Sequence, residues 1–178
     1  MYLEKKINKI IFVICLLSLF LKSSELYGQI NEYEIKASFL FKFGKYTEWP
    51  KYDDDYFIIT VIGKNPFADS LKKVASSKTM KEKKIKINYI NSLTEIKNTH
   101  ILFVPKTEKK SLNSIVNATQ NKPILLVTEF CDAAVQGAHI NFYLNDENKI
   151  RFEISKKNLK KSNLKVSSLL LDIGTEVD

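Results

Sequence analysis

Arginine is nearly missing from this chain. Arg151 supplies its single guanidinium among 28 basic residues, which stand against 20 acidic ones for a net charge of +8. The rest of that charge is lysine, spread in short groups such as Lys81, Lys83, Lys84 and Lys86, or Lys156, Lys157, Lys160 and Lys161. Nucleic-acid readers focus arginine into a patch that grips phosphates and base edges. Scattered lysine excludes that class and fits a soluble surface that is at most peripheral to an anionic membrane. Cysteine is equally scarce, at positions 15 and 131. Once the leader described below is removed, Cys131 stands alone, so no intramolecular disulfide forms and packing must stabilise the fold. A lone thiol of this kind is either a redox sensor or a small hydrophobe, and burial is the commoner outcome.

Histidine is limited to His100 and His139. With Glu129 or Asp132 they would make a metal set, and Cys131 with His139 a nucleophile and base. Both histidines fall within strand patterns, however, and His139 is followed by apolar Ile140, which fits hydrogen-bonded strand side chains. No catalytic residue, metal ligand or cofactor is expected. The run Asp53, Asp54, Asp55 offers three carboxylates, but successive residues of an extended loop diverge, and no glycine turns them into a calcium cage. Glycine is too sparse for a phosphate-cradling loop. Even so, Gly63-Lys64-Asn65-Pro66-Phe67 sits at a strand-to-helix turn, where open α/β sheets take ligands. Gly63, Asn65, Pro66 and Phe67 are therefore the candidate small-ligand residues.

Long hydrophobic runs are confined to the amino terminus. Lys5, Lys6 and Lys9 precede the run Ile10 to Leu21, and Ser23, Ser24 and Gly28 give it a small, polar exit. That order is a secretory signal peptide. The 12-residue run is short of the ~20 residues that cross a bilayer, which favours cleavage over the alternative of a retained anchor. Cys15 lies inside the run behind Ile14, which does not suit a lipoprotein site. The division expected is a signal peptide over residues 1–28 and a single α/β domain over 29–178, working outside the cytoplasm.

Within that domain the elements alternate. Residues 32–46 carry a wide apolar helical face interrupted by Lys36, Lys42 and Lys45, ending near Trp49-Pro50. Tyr56 to Ile62 is a β-branched run read as a strand covered on both faces. Asn65-Pro66 opens a helix to about Ser77, with Asn65 as cap and Pro66 at the first position. Strands follow at Lys84 to Ile90, His100 to Val104 and Pro123 to Val127, with a helix from about Glu108 to Gln120. Ala138 to Leu144 and Lys149 to Ile154 form a hairpin across Asn145-Asp146-Glu147-Asn148. A last helix is expected from about Lys157 to Val177. Strand and helix alternation followed by a hairpin predicts a three-layer α/β/α sandwich, Rossmann-like, with a mixed sheet and a C-terminal hairpin plus helix. The first and last helices carry apolar residues on more than one stripe, which predicts self-association, a homodimer.

These residues also carry a resemblance. Tyr33-Glu34-Ile35-Lys36-Ala37-Ser38-Phe39-Leu40-Phe41-Lys42-Phe43 followed by Tyr46-Thr47-Glu48-Trp49-Pro50 resembles the opening helix of the YfiR/HmsC family of exported proteins. Gly63 with Pro66-Phe67, then His100 to Val104, Asn141-Phe142 with Arg151-Phe152-Glu153-Ile154, and Leu164-Lys165-Val166-Ser167-Ser168 match in the family's order. The chain departs at Gly137-Ala138, where paired glycines are common, at Ser155, where asparagine is usual, and at Cys131, which lacks the partner some relatives have. The resemblance implies a non-catalytic periplasmic regulator that binds and restrains a membrane-bound signalling protein through its periplasmic sensor domain. In the better understood relatives the signalling protein is a diguanylate cyclase tied to biofilm formation; other members sit with sensor kinases. It also implies dimers, and it makes Arg151 and Glu153, outward on the hairpin, candidate partner contacts. The other reading is a periplasmic small-molecule-binding protein acting alone, or a hydrolase.

Overall fold

The computed structural model describes residues 32–50 and 55–177, so the leader, Asp53 and Asp54 lie outside the described residues. The first helix, α1 (residues 32–46), buries Ala37, Leu40 and Phe43, a spacing of three that keeps one helical face on the core. Phe43 meets Phe142 at 5.3 Å and Phe152 at 4.9 Å between ring centres. Ahead of Pro50 the chain leaves the helix and forms a short strand, β1 (Thr47–Glu48).

The central sheet is built from β2 (Tyr56–Ile62), β3 (Thr79–Met80), β4 (Lys83–Ile90), β5 (Ile101–Val104), β6 (Leu125–Thr128), β7 (Ile140–Leu144), β8 (Ile150–Ile154) and β10 (Thr175–Glu176). Its order is β10-β8-β7-β6-β5-β2-β4-β3. The strands from β4 through β2, β5 and β6 to β7 are parallel, while β7–β8 and β3–β4 are antiparallel. The sheet is therefore mixed, as the alternation followed by a hairpin requires. Strand β5, Ile-Leu-Phe-Val, is buried at all four positions. Ile101 and Phe103 face one core with α1 and with Leu71 of α2 (Ser70–Ser77); Leu102 and Val104 face another with Leu112 and Ile115 of α3 (Leu112–Thr119). Helices thus cover both faces, giving three layers. Phe43, Phe57, Phe67, Phe103, Phe142 and Phe152 are each under 2% exposed or close to it. At roughly 1.5–3 kcal/mol apiece their burial supplies much of the stability of the fold.

Three expectations give way to the structure. Helix α2 begins at Ser70, because the Asn65 side chain accepts from the Phe67 amide at 3.0 Å and Ala68 adopts a left-handed φ of 46°. Asn65 therefore caps a turn, and Pro66 lies in that turn. The expected last helix is four separate pieces: α4 (Lys156–Lys161), β9 (Lys165–Val166), α5 (Ser168–Leu171) and β10. Asn163, at φ 56°, reverses the chain after α4. The buried leucines at 159, 164 and 170 are not three or four apart, so no straight helix presents them all to one core. Strand β9 pairs with β1 and β10 adds a parallel strand beside β8. Finally, Cys131 is exposed, in the loop between β6 and β7 behind the buried Phe130.

Candidate functional site

From β2 the chain moves outward to β4, then returns past β2 to β5 and continues the other way. This reversal is a topological switch point, and the loops leaving β2 and β5 diverge there into a crevice at the carboxyl ends of the strands. A cavity of about 370 Å³ occupies it, lined by Tyr33, residues 64–68, Ser70, residues 105–107 and Glu129. Asn65, Pro66 and Phe67 are among its lining residues. Gly63 is not: it ends β2 at φ 74°, its amide donating to Ile90 at 2.8 Å, and a side chain there would lie 2.4 Å from Glu108 Oε1. Its glycine is a backbone requirement.

The floor of the crevice is a buried charge network that sequence reading passed over. Glu129 follows β6, and its carboxylate is 1% exposed. Lys36 Nζ, on α1, donates to Oε2 at 2.6 Å, and Tyr33 hydroxyl and the Lys106 amide donate to Oε1 at 3.0 Å each. Lys36 also pairs with Glu32 one turn before it and lies 4.7 Å from the Tyr33 ring centre. Burial, then the neighbouring Glu129 charge, pushes the Tyr33 phenol up, so it stays a donor. Four segments are fastened through one carboxylate: α1, the loop after β5, the end of β6 and, through the edge contact of Tyr33 with Phe67 at 5.4 Å, the loop after β2. The signal was present in the sequence. Lys36 falls on the stripe Tyr33, Leu40, Phe43, not between faces, and Glu129 sits at the carboxyl end of a parallel strand.

The hairpin strands β7 and β8 pair Asn141 with Glu153, Tyr143 with Arg151 and Phe142 with Phe152. Alternation sends Phe142, Phe152 and Ile154 into the core with α1. Arg151 is exposed on the opposite face, as expected. Glu153 shares that face but is only half-exposed, and its Oε2 accepts from Asn141 Nδ2 at 3.0 Å. Asn141 in turn accepts from Thr128 hydroxyl at 2.8 Å and the Phe130 amide at 3.1 Å. Glu153 is thus a structural partner of a buried amide as well as a surface charge. Cys131 lies near this face; a hydrogen bond with Asp132 and then its charge push the thiol up, which works against thiolate chemistry.

The histidines occupy separate places. His100 Nδ1 accepts from the Ile58 amide at 3.0 Å and its ring stacks on Phe57 at 4.4 Å. His139 Nδ1 accepts from the Leu126 amide at 2.8 Å, and Nε2 lies 3.0 Å from Ser162 hydroxyl. An amide only donates, so Nδ1 is bare and Nε2 carries the proton. His139 therefore donates to Ser162 and cannot take its proton, which removes this pair as a hydrolytic dyad. Among the described residues no group of three His, Cys, Asp or Glu side chains is placed to hold a metal. Burial lowers the His139 pKa from 6.5 to about 4. The unfolded chain then binds this proton first as pH falls, so the stabilising contribution is complete above about 6.5 and is lost toward about 4. Urea unfolding is expected to show about 2 kcal/mol less stability from this group at pH 5 than at pH 7, a pKa unit being worth about 1.4 kcal/mol. His139→Gln should flatten that slope, and an unchanged slope would reject the assignment.

The fold is a layered mixed sheet whose parallel strands end in an antiparallel hairpin, with a buried charge network at its switch point. A family model of the YfiR/HmsC-like proteins matches residues 33–175. The chain belongs to this family, which supports a periplasmic regulatory role in general. No functionally curated protein matches the chain. Among solved structures it is similar to "the ABC domain in complex with L-Trp from Streptococcus pneumonia", at 10% identity and a TM-score of 0.49 over 68% of this chain. The chain spans 55% of that structure's length. No helix among the described residues is long and apolar enough to cross a membrane.

Proposed function

We propose that this protein is exported by a cleaved leader over residues 1–28 and that its domain, residues 29–178, restrains a membrane-bound signalling protein by binding that protein's periplasmic sensor domain. The reading rests on family membership across residues 33–175. The signalling protein is a diguanylate cyclase or a sensor kinase, and the regulator works without catalysis, as a homodimer. Binding the inactive sensor more tightly than the active one by about 3 kcal/mol shifts the populations by more than a hundredfold, and only such differential affinity does so. The contact surface assigned is the outward face of β7 and β8 around Arg151 and Glu153, where the single guanidinium stands exposed beside half-exposed Tyr143.

Co-purification from membranes, read by mass spectrometry, tests this reading. The natural protein should retain a membrane signalling protein with a periplasmic domain. Arg151→Glu should lose it while its stability changes by only about 0.5 kcal/mol, as exposed substitutions do. Retention of the same partner by a stable Arg151→Glu protein would remove Arg151 from the contact, and absence of any membrane signalling protein would reject the regulator reading. Intact mass and light scattering of the same preparation check the leader and the dimer; a retained leader or a monomer would refute either element.

A further inference from the structure

We propose that the switch-point crevice binds a small organic anion, its charged end held by the Lys64 and Lys106 ammoniums and its apolar body seated on Pro66 and Tyr33 over the buried Phe67. Charge accounting selects the anion. Three ionised side chains line the crevice: Glu129, Lys64 and Lys106. Glu129 meets Lys36 at 2.6 Å, an ammonium it shares with Glu32, so the buried network carries one net negative charge, and both Glu129 oxygens already accept bonds. The two lysines come from opposite sides of the switch point, one on the loop after β2 and one on the loop after β5. Both are exposed, and among the described residues no ion pair engages either ammonium. The two rim lysines outweigh the single net negative charge of the buried network, and that balance favours a negative guest.

The walls select the rest of the ligand. Phe67 is buried at 1% exposure and held edge-on by Tyr33 at 5.4 Å and Phe103 at 4.7 Å, so its ring is fixed. Pro66 and Pro105 add rigid apolar surface with no amide donor. A cavity of about 370 Å³ lies in the range of small-ligand sites, which are mostly apolar with a few convergent polar groups. The loop that carries Lys64 and Phe67 holds Ala68 in a left-handed conformation, φ 46°, which is costly for a residue with a side chain and persists where the surroundings impose it. A ligand on Tyr33 and Lys106 would bear on the same Glu129 network that fastens α1 to the sheet. The proposal does not depend on the membrane partner, since binding is a property of the isolated protein.

Amide NMR of the isotope-labelled protein titrated with phenylacetate tests it, with phenylacetamide as the neutral isostere and inorganic phosphate as the anion without an apolar body. Phenylacetate is expected to shift, saturably and at millimolar concentration, the amides of Lys64, Asn65, Phe67, Ala68, Lys106 and Thr107. Phenylacetamide and phosphate should each bind at least about tenfold more weakly. The Lys64→Ser/Lys106→Ser protein should keep its melting temperature and lose phenylacetate affinity by a similar factor. Absence of saturable shifts up to tens of millimolar would overturn the proposal, as would shifts centred elsewhere. So would equal affinity for phenylacetamide or phosphate, or full affinity in the stable double variant.

Discussion

Lys36→Met is expected to destabilise the protein by about 3–5 kcal/mol, among the largest losses available to a single side chain. The ammonium is 4% exposed and the Glu129 carboxylate it meets 1% exposed. Removing one member of such a pair leaves the other charge buried and uncompensated, which is where the cost arises. Glu129 would keep its bonds from Tyr33 and the Lys106 amide, but neither cancels a full charge. Lys36→Met/Glu129→Gln is therefore expected to recover most of the loss. The glutamine carbonyl still accepts from Tyr33 and Lys106, and no buried charge remains. Denaturant unfolding of the two single variants and the double gives the coupling directly. Salt should change it little, because buried pairs are poorly screened. A Lys36→Met protein as stable as the natural one would mean that the pair is open to water.

The same pair shows which parts of the structure were legible in the sequence. Fold class followed from local patterns that have one solution: β5 and β6 read as buried strands because all their residues are apolar or β-branched, and Asn145 to Asn148 reads as a turn because those side chains supply it. The order of elements then specified a layered mixed sheet. Lys36 was read as a break in an apolar face because lysine is usually exposed. Its burial depends on Glu129, 93 residues away, and on a sheet order that periodicity does not encode. The carboxyl-terminal region failed for a related reason. Leucines at 159, 164 and 170 are apolar enough for a helix, and no glycine or proline interrupts them. The break comes instead from Asn163 taking a left-handed turn, a conformation asparagine tolerates but does not announce. At the crevice, Asn65, Pro66 and Phe67 were found through the rule about strand ends. Lys64 and Lys106 required knowing which second loop faces the first.

Phe152→Ala is expected to cost about 3–5 kcal/mol, through lost burial and the cavity that remains. The ring is 2% exposed and contacts Phe39 and Phe43 at 5.4 and 4.9 Å between centres. Its far edge is covered by backbone: a side chain on Gly174 would lie 2.6 Å from Phe152 Cε2. Gly174 also lies against the Ile154 side chain, so collapse into the space would have to shift Ile154 or the chain leading into β10. The next residue separates folding from recognition less cleanly than strand alternation alone predicts. Glu153→Lys breaks the bond to Asn141 and brings an ammonium toward an amide that donates, which is expected to cost about 1–2 kcal/mol, not the ~0.5 kcal/mol of a free surface position. Glu153→Gln keeps an acceptor for Asn141 and should stay within about 0.5 kcal/mol of the natural protein. Thermal unfolding should therefore rank the variants Phe152→Ala lowest, then Glu153→Lys, then Glu153→Gln. If the outward face meets a charged sensor surface, Glu153→Gln should already weaken repression in cells at unchanged melting temperature. Full repression by a stable Glu153→Gln protein, together with full repression by Arg151→Glu, would move the contact off this face. A Glu153→Gln protein as unstable as Phe152→Ala would instead show that Glu153 is a core residue.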